Sequence, residues 1–162
     1  MEQTLHQLMI QRLHNSYLMN GDLIIWWLLL AAISCFVGFQ DITKRVISNR
    51  SCIIVFIVCN IIAVRTGNYQ VFLYVAIIFI TGFILFLFNI IAAGDIKLAA
   101  AFSIAVNPKY QLLVITIILL LGGIIALGQL AWKKYKTNEK IDGVPYGVPI
   151  CIGYLFGIAA SI

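Results

Sequence analysis

Ile91-Ala92-Ala93-Gly94-Asp95-Ile96-Lys97-Leu98 sets an aspartate between two apolar runs, Tyr69 to Ala92 before it and Ile96 to Val106 after it. A carboxylate pushed toward hydrocarbon costs at least a few kcal/mol, so an ionisable residue there is a candidate for function before anything else. The second run also decides the topology. Its eleven residues rise only about 16 Å as a helix, against a hydrocarbon core of ~30 Å.

Cation placement resolves the doubtful run. With six crossings and the N-terminus outside, the cytoplasmic loops hold Lys44, Arg45, Arg50, Lys97, Lys133, Lys134, Lys136 and Lys140, and the other side holds Arg12, Arg65 and Lys109. Eight against three is a clear positive-inside bias. If the run failed to cross, the lysines of the 133–140 loop would change sides and leave four against seven, and inverting the whole chain would recover only seven against four. Six spans with a short fourth helix fit best. The expected fold is all-α, a polytopic membrane protein of about six transmembrane helices.

Composition agrees. The chain has 162 residues, 62% hydrophobic and 10% charged, with a mean hydropathy of +1.02. Soluble domains carry roughly 25% charged residues. The length suits one membrane domain, residues 21–162, and leaves no room for a sizeable soluble module. The net charge of +5 reads as topological, and no basic, aromatic-interleaved stretch points to nucleic acid. Cys35, Cys52, Cys59 and Cys151 are scattered without a CxxC pair, which gives no support for zinc or redox chemistry. They are expected to pack as small hydrophobes.

Residues 1–20 place Leu5, Leu8, Met9, Leu13 and Tyr17 at helical spacing, a weak amphipathic interfacial segment. It lacks the compact core and cleavage site of a signal peptide. A start at Met19 is the alternative, and His6 and His14 are not expected to be ligands. The first span runs from about Asp22 to Phe39, ending at Gly38-Phe39-Gln40-Asp41. The others cover about Ser51 to Val64, Tyr69 to Ala92, Ile96 to Val106, Tyr110 to Trp132 and Tyr146 to Ile162. Gly153 and Gly157 form a GxxxG face suited to close helix packing.

Between Asp41 and Asp95 the chain crosses twice, so both acids lie on one face at similar depth and can meet if the first and fourth helices pack together. Two carboxylates close together at a low-dielectric boundary cannot both ionise easily and would share a proton. One could then take a proton from water while the other donates to a carbonyl oxygen. Gly94 would let the backbone bend sharply between two helices. Lys97 would snorkel to the headgroups and fix the depth of the loop. Other readings stay open: Asp41 as a polar span end, Asp95 as the N-cap of the fourth helix, or both in an ion or proton pathway. Asp142 reads as a loop residue.

Asp41 followed by Lys44-Arg45-Val46-Ile47-Ser48-Asn49 resembles the first motif of type IV prepilin peptidases, an aspartate followed several residues later by Ile-Pro-Asn. Ala93-Gly94-Asp95-Ile96-Lys97-Leu98 resembles their GxGD motif, and Pro145-Tyr146-Gly147 a C-terminal Pro-aromatic-Gly. The order and the six-helix total agree with that family over nearly the whole chain after residue 20. The resemblance implies a membrane aspartic peptidase that cuts the short basic leader of prepilins or pilin-like proteins on the cytoplasmic face of the inner membrane. Asp41 and Asp95 would be catalytic, with Gly94, Lys97 and Asn49 supporting them. No metal and no cofactor are implied. The implied partners are the prepilin substrate and the lipid bilayer, with no nucleic acid, and both a monomer and a homodimer fit. Larger members carry a CxxC-bearing methylation loop; the chain resembles the small, peptidase-only form. Ser48 stands where the family has proline, which should be tolerated because proline there mainly stiffens a turn. Ala92 stands where the first glycine of GxGD belongs, so its methyl is expected to crowd the bend. The rival classes are a small proton- or cation-linked transporter and an inactive assembly subunit of the same fold.

Overall fold

The computed structural model describes residues 2–67, 71–88, 90–135 and 145–162, with side chains for 21–67, 71–88, 90–131 and 145–162. The expected amphipathic face of residues 1–20 with its histidines, the side chains of the 133–140 loop, and Asp142 lie outside those described side chains. The described residues form six helices: α1 Glu2–Lys44, α2 Asn49–Thr66, α3 Val71–Leu87, α4 Ala93–Ser103, α5 Pro108–Tyr135 and α6 Gly147–Ala159. Several boundaries differ from expectation: α1 already begins at Glu2 rather than near Asp22, α3 ends at Leu87 rather than Ala92, and α4 covers Ala93–Ser103 rather than Ile96 to Val106. The first helix does not stop at Gly38 to Asp41 but continues to Lys44, so Asp41 lies in its last turns.

Local chemistry fixes the helix ends. Ser48 caps α2 by accepting from the Ser51 N–H at 3.1 Å, and Gly67 closes α2 in the left-handed region at φ 66°. Asn107 accepts from the Lys109 N–H at 3.1 Å just before Pro108, the first residue of α5, where a missing N–H costs nothing. Arg45 ends α1 at φ 55°, uncommon for a residue with a side chain.

The helices alternate in direction. Arg65 of α2 pairs with Asp22 of α1 at 3.1 Å, the Trp27 Nε1–H of α1 donates to the Leu155 carbonyl of α6, and Asn107 before α5 donates to Ser161 beyond α6. One end of the bundle therefore gathers the α1–α2 turn and the starts of α4 and α6, and the other gathers Asp22, Arg65 and Asn107.

Helix α4 sits at the centre, packed on α2, α3 and α6. That explains how an eleven-residue helix is stable here: protein rather than lipid surrounds it. Leu98 and Phe102 are fully buried, and Phe102 stacks on Tyr154 of α6 with ring centroids 5.5 Å apart. A helix ending at membrane depth must satisfy its last carbonyls internally. Gln111 of α5 does this, donating from Nε2 to the Ser103 carbonyl at 2.8 Å. Gly153 and Gly157 lie against α5, where a Cβ on Gly157 would overlap Val114.

Polarity is inverted relative to a soluble domain. Asp41, Asp95, Ser34, Ser51, Ser103 and Gln111 are buried, while Leu112, Phe88, Leu73 and Phe72 are exposed. Such an apolar surface needs a lipid solvent. Three helical stretches, Gly21–Lys44, Asn49–Thr66 and Pro108–Ala131, are long and apolar enough to span a membrane, and Val71–Leu87 and Gly147–Ala159 are shorter apolar helices. Among the cysteines, Cys52, Cys59 and Cys151 are buried and Cys35 is exposed.

Candidate active site

Asp41 and Asp95 come together at the end of the bundle that holds the α1–α2 turn. Asp41 is 5% exposed and Asp95 6%, and the charge of Asp41 acts directly on Asp95. The short connection after Lys44 and the central position of α4 produce this meeting. Arg45 also lies within electrostatic reach of Asp41.

Asp41 is held by a backbone group. Its Oδ2 accepts the Gly147 N–H at 2.8 Å, and that donor belongs to the first residue of α6, where N–H groups lack helical partners and the dipole favours negative charge. Only glycine permits the approach: a Cβ at 147 would lie 2.7 Å from Oδ2 and 2.9 Å from Cγ of Asp41. Tyr146, just before it, rests its ring on bare Gly122 of α5. Gly147 was legible in the sequence only as part of a Pro-aromatic-Gly pattern. A main-chain donor leaves no side-chain signature, so the pattern could not show what it did.

Asp95 is not an N-cap. Ala92 occupies that position, and Asp95 lies in the first turn of α4, where a carboxylate is also favoured by the dipole. Nor does Gly94 make the bend, since it is helical and has no positive φ. The chain turns at Ile90 and Ile91, and Ala92 after them is extended, with φ −76° and ψ 147°, a conformation open to alanine without strain. The absence of a side chain at Gly94 instead admits Ile47 of the α1–α2 turn, whose Cβ would be 3.3 Å from a Cβ there. Ala92 itself is exposed, so its methyl crowds nothing. Ala92→Gly is accordingly expected to leave any cleavage rate within about twofold, as for surface changes generally; a tenfold rise in a cleavage assay would restore the crowding idea.

Lys97 and Asn49 meet each other rather than the carboxylates. Lys97 Nζ donates to Asn49 Oδ1 at 3.1 Å, which ties the start of α4 to the start of α2 at the surface. Ser48 has φ −72°, a value proline would share, and its hydroxyl supplies a cap that proline lacks.

Beside Asp95 opens a cleft of ≈ 230 Å³ between α3, α4, α5 and α6, lined by apolar side chains such as Ile78, Leu85 and Ile118 together with Tyr146. Two buried carboxylates next to an apolar cleft can hold and move a proton beside an extended chain.

Residues 23–127 match the type IV leader peptidase family. The chain belongs to that family. The matched stretch contains both Asp41 and Asp95 and stops short of Gly147. Neither a curated protein nor a solved structure matches the chain. Family membership and the apolar helices together make this a membrane-embedded protein of a peptidase family.

Proposed function

We propose that the chain is an aspartic endopeptidase that removes the short basic leader of prepilins or pilin-like proteins at the cytoplasmic face of the inner membrane. The observation that carries this reading is the proximity of two buried carboxylates, Asp41 and Asp95, with Asp95 lining an apolar cleft. The apolar lining of the cleft suits hydrophobic side chains of the segment that follows such a leader, and the cation distribution favours the carboxylate end facing the cytoplasm.

In this mechanism the pair holds one proton. The ionised carboxylate takes a proton from water, whose oxygen bonds to the scissile carbonyl carbon, while the protonated partner gives its proton to the carbonyl oxygen. The resulting gem-diol collapses as the leaving nitrogen is protonated, and the C–N bond breaks. The pair titrates as a unit, so no base is present when both are protonated and no acid when both are ionised.

The test is cleavage in lipid nanodiscs of a peptide with a basic leader followed by an apolar helix, with the new N-terminus read by mass spectrometry. Intact substrate after incubation with folded wild-type protein overturns the reading.

A further inference from the structure

A second hollow, of ≈ 570 Å³, lies on another flank of α4, between α2 and α3. Both helices pack on α4, yet they share no packed interface of their own among the described residues. Small side chains, Ala100 and Ala101, form the floor, and Ile53, Phe56 and Phe79 stand along the walls. All three wall residues are exposed. Polar atoms gather at one end only, where Lys97 Nζ meets Asn49.

We propose that this groove binds an anionic phospholipid of the bilayer, one acyl chain lying between α2 and α3 and the phosphate resting on Lys97. Length, charge and location support that occupant. From Lys97 to Ile104 the groove runs seven residue steps along α4 and its C-cap, about 10 Å at 1.5 Å per residue, which accommodates the upper part of an acyl chain. An ammonium carries three donor hydrogens, and Asn49 takes one, leaving others for phosphate oxygens. The described residues place no carboxylate within ion-pair distance of Lys97, so the cation has no internal counter-ion there. A peptide substrate is disfavoured as occupant, because it must reach Asp95, which lines the other hollow and not this one.

The experiment is native mass spectrometry of the purified full chain released from micelles containing equal phosphatidylglycerol and phosphatidylcholine. The expected result is a single bound lipid with phosphatidylglycerol retained about fivefold over phosphatidylcholine, the preference one lysine supplies near an anionic headgroup. Lys97→Gln should equalise the two lipids, and Ala100→Leu, which fills the floor, should lose both. If Ala100→Leu does not fold, Ile53→Trp at the exposed wall serves in its place. Equal retention by the wild type, a preference that survives Lys97→Gln, or undiminished binding in the filled groove would each overturn the proposal. Retention of a co-added prepilin helix in place of lipid would assign the groove to peptide instead.

Discussion

Asp41→Asn and Asp95→Asn are each expected to lower leader cleavage by roughly a thousandfold or more, since removing a proton-transfer partner alone costs 10²–10⁴. An amide has nearly the shape of the carboxylate, so the variants should insert and melt like the parent. At 41 the amide oxygen can still accept the Gly147 N–H, which keeps the start of α6 in place. What disappears is the ability to exchange a proton with water or with the scissile carbonyl. The double variant should be hardly worse than either single one, because groups that act as a unit lose their function together. The assay is product formation from a prepilin peptide, run beside circular dichroism and thermal melting. Cleavage at the parental rate by either well-folded variant would remove the carboxylate pair from the mechanism and leave a transporter or an assembly role as the better account.

Gly147→Ala should have the second largest effect. The added methyl would have to occupy space 2.7 Å from Asp41 Oδ2 and 3.1 Å from its Cβ, so either the carboxylate turns away or α6 shifts along α1. A displacement near 1 Å from productive geometry costs on the order of 100-fold in rate. Overpacking is expected to cost about 1–3 kcal/mol of stability as well, so rate and stability need separate measurement. The diagnostic reading is a fall in kcat with KM little changed, in protein that remains folded at the assay temperature. Unchanged kcat would show that the Gly147 N–H does not position Asp41.

Much of the fold could be read from the sequence, because apolar runs of span length broken by Gly, Asn, Pro and charge clusters have few alternatives to helices. That Asp41 and Asp95 share one end of the bundle was also legible, from the two intervening runs, although α1 packs on α2 and α6 rather than on α4. Three features were not. Helix α1 passes through Gly38 without a break, since glycine weakens a helix by only about 1 kcal/mol and packing with α2 and α6 outweighs that. Asp95 sits within the first turn of α4 instead of capping it, a boundary that propensity alone cannot place. What supports so short a helix was not legible either: the eleven-residue run and the cation placement pointed to a short α4, but not to the neighbouring helices and Gln111 that supply what water would have supplied.

Helix α3 touches α5 only lightly and owes its position chiefly to α4. It stands as a partition: Ile78, Gly82 and Leu85 look into the cleft beside Asp95, and Val75 and Phe79 look into the groove that ends at Lys97. A rigid partition between two chambers cannot move toward one without moving away from the other. The widths of the two hollows are therefore reciprocal under any sideways shift of α3.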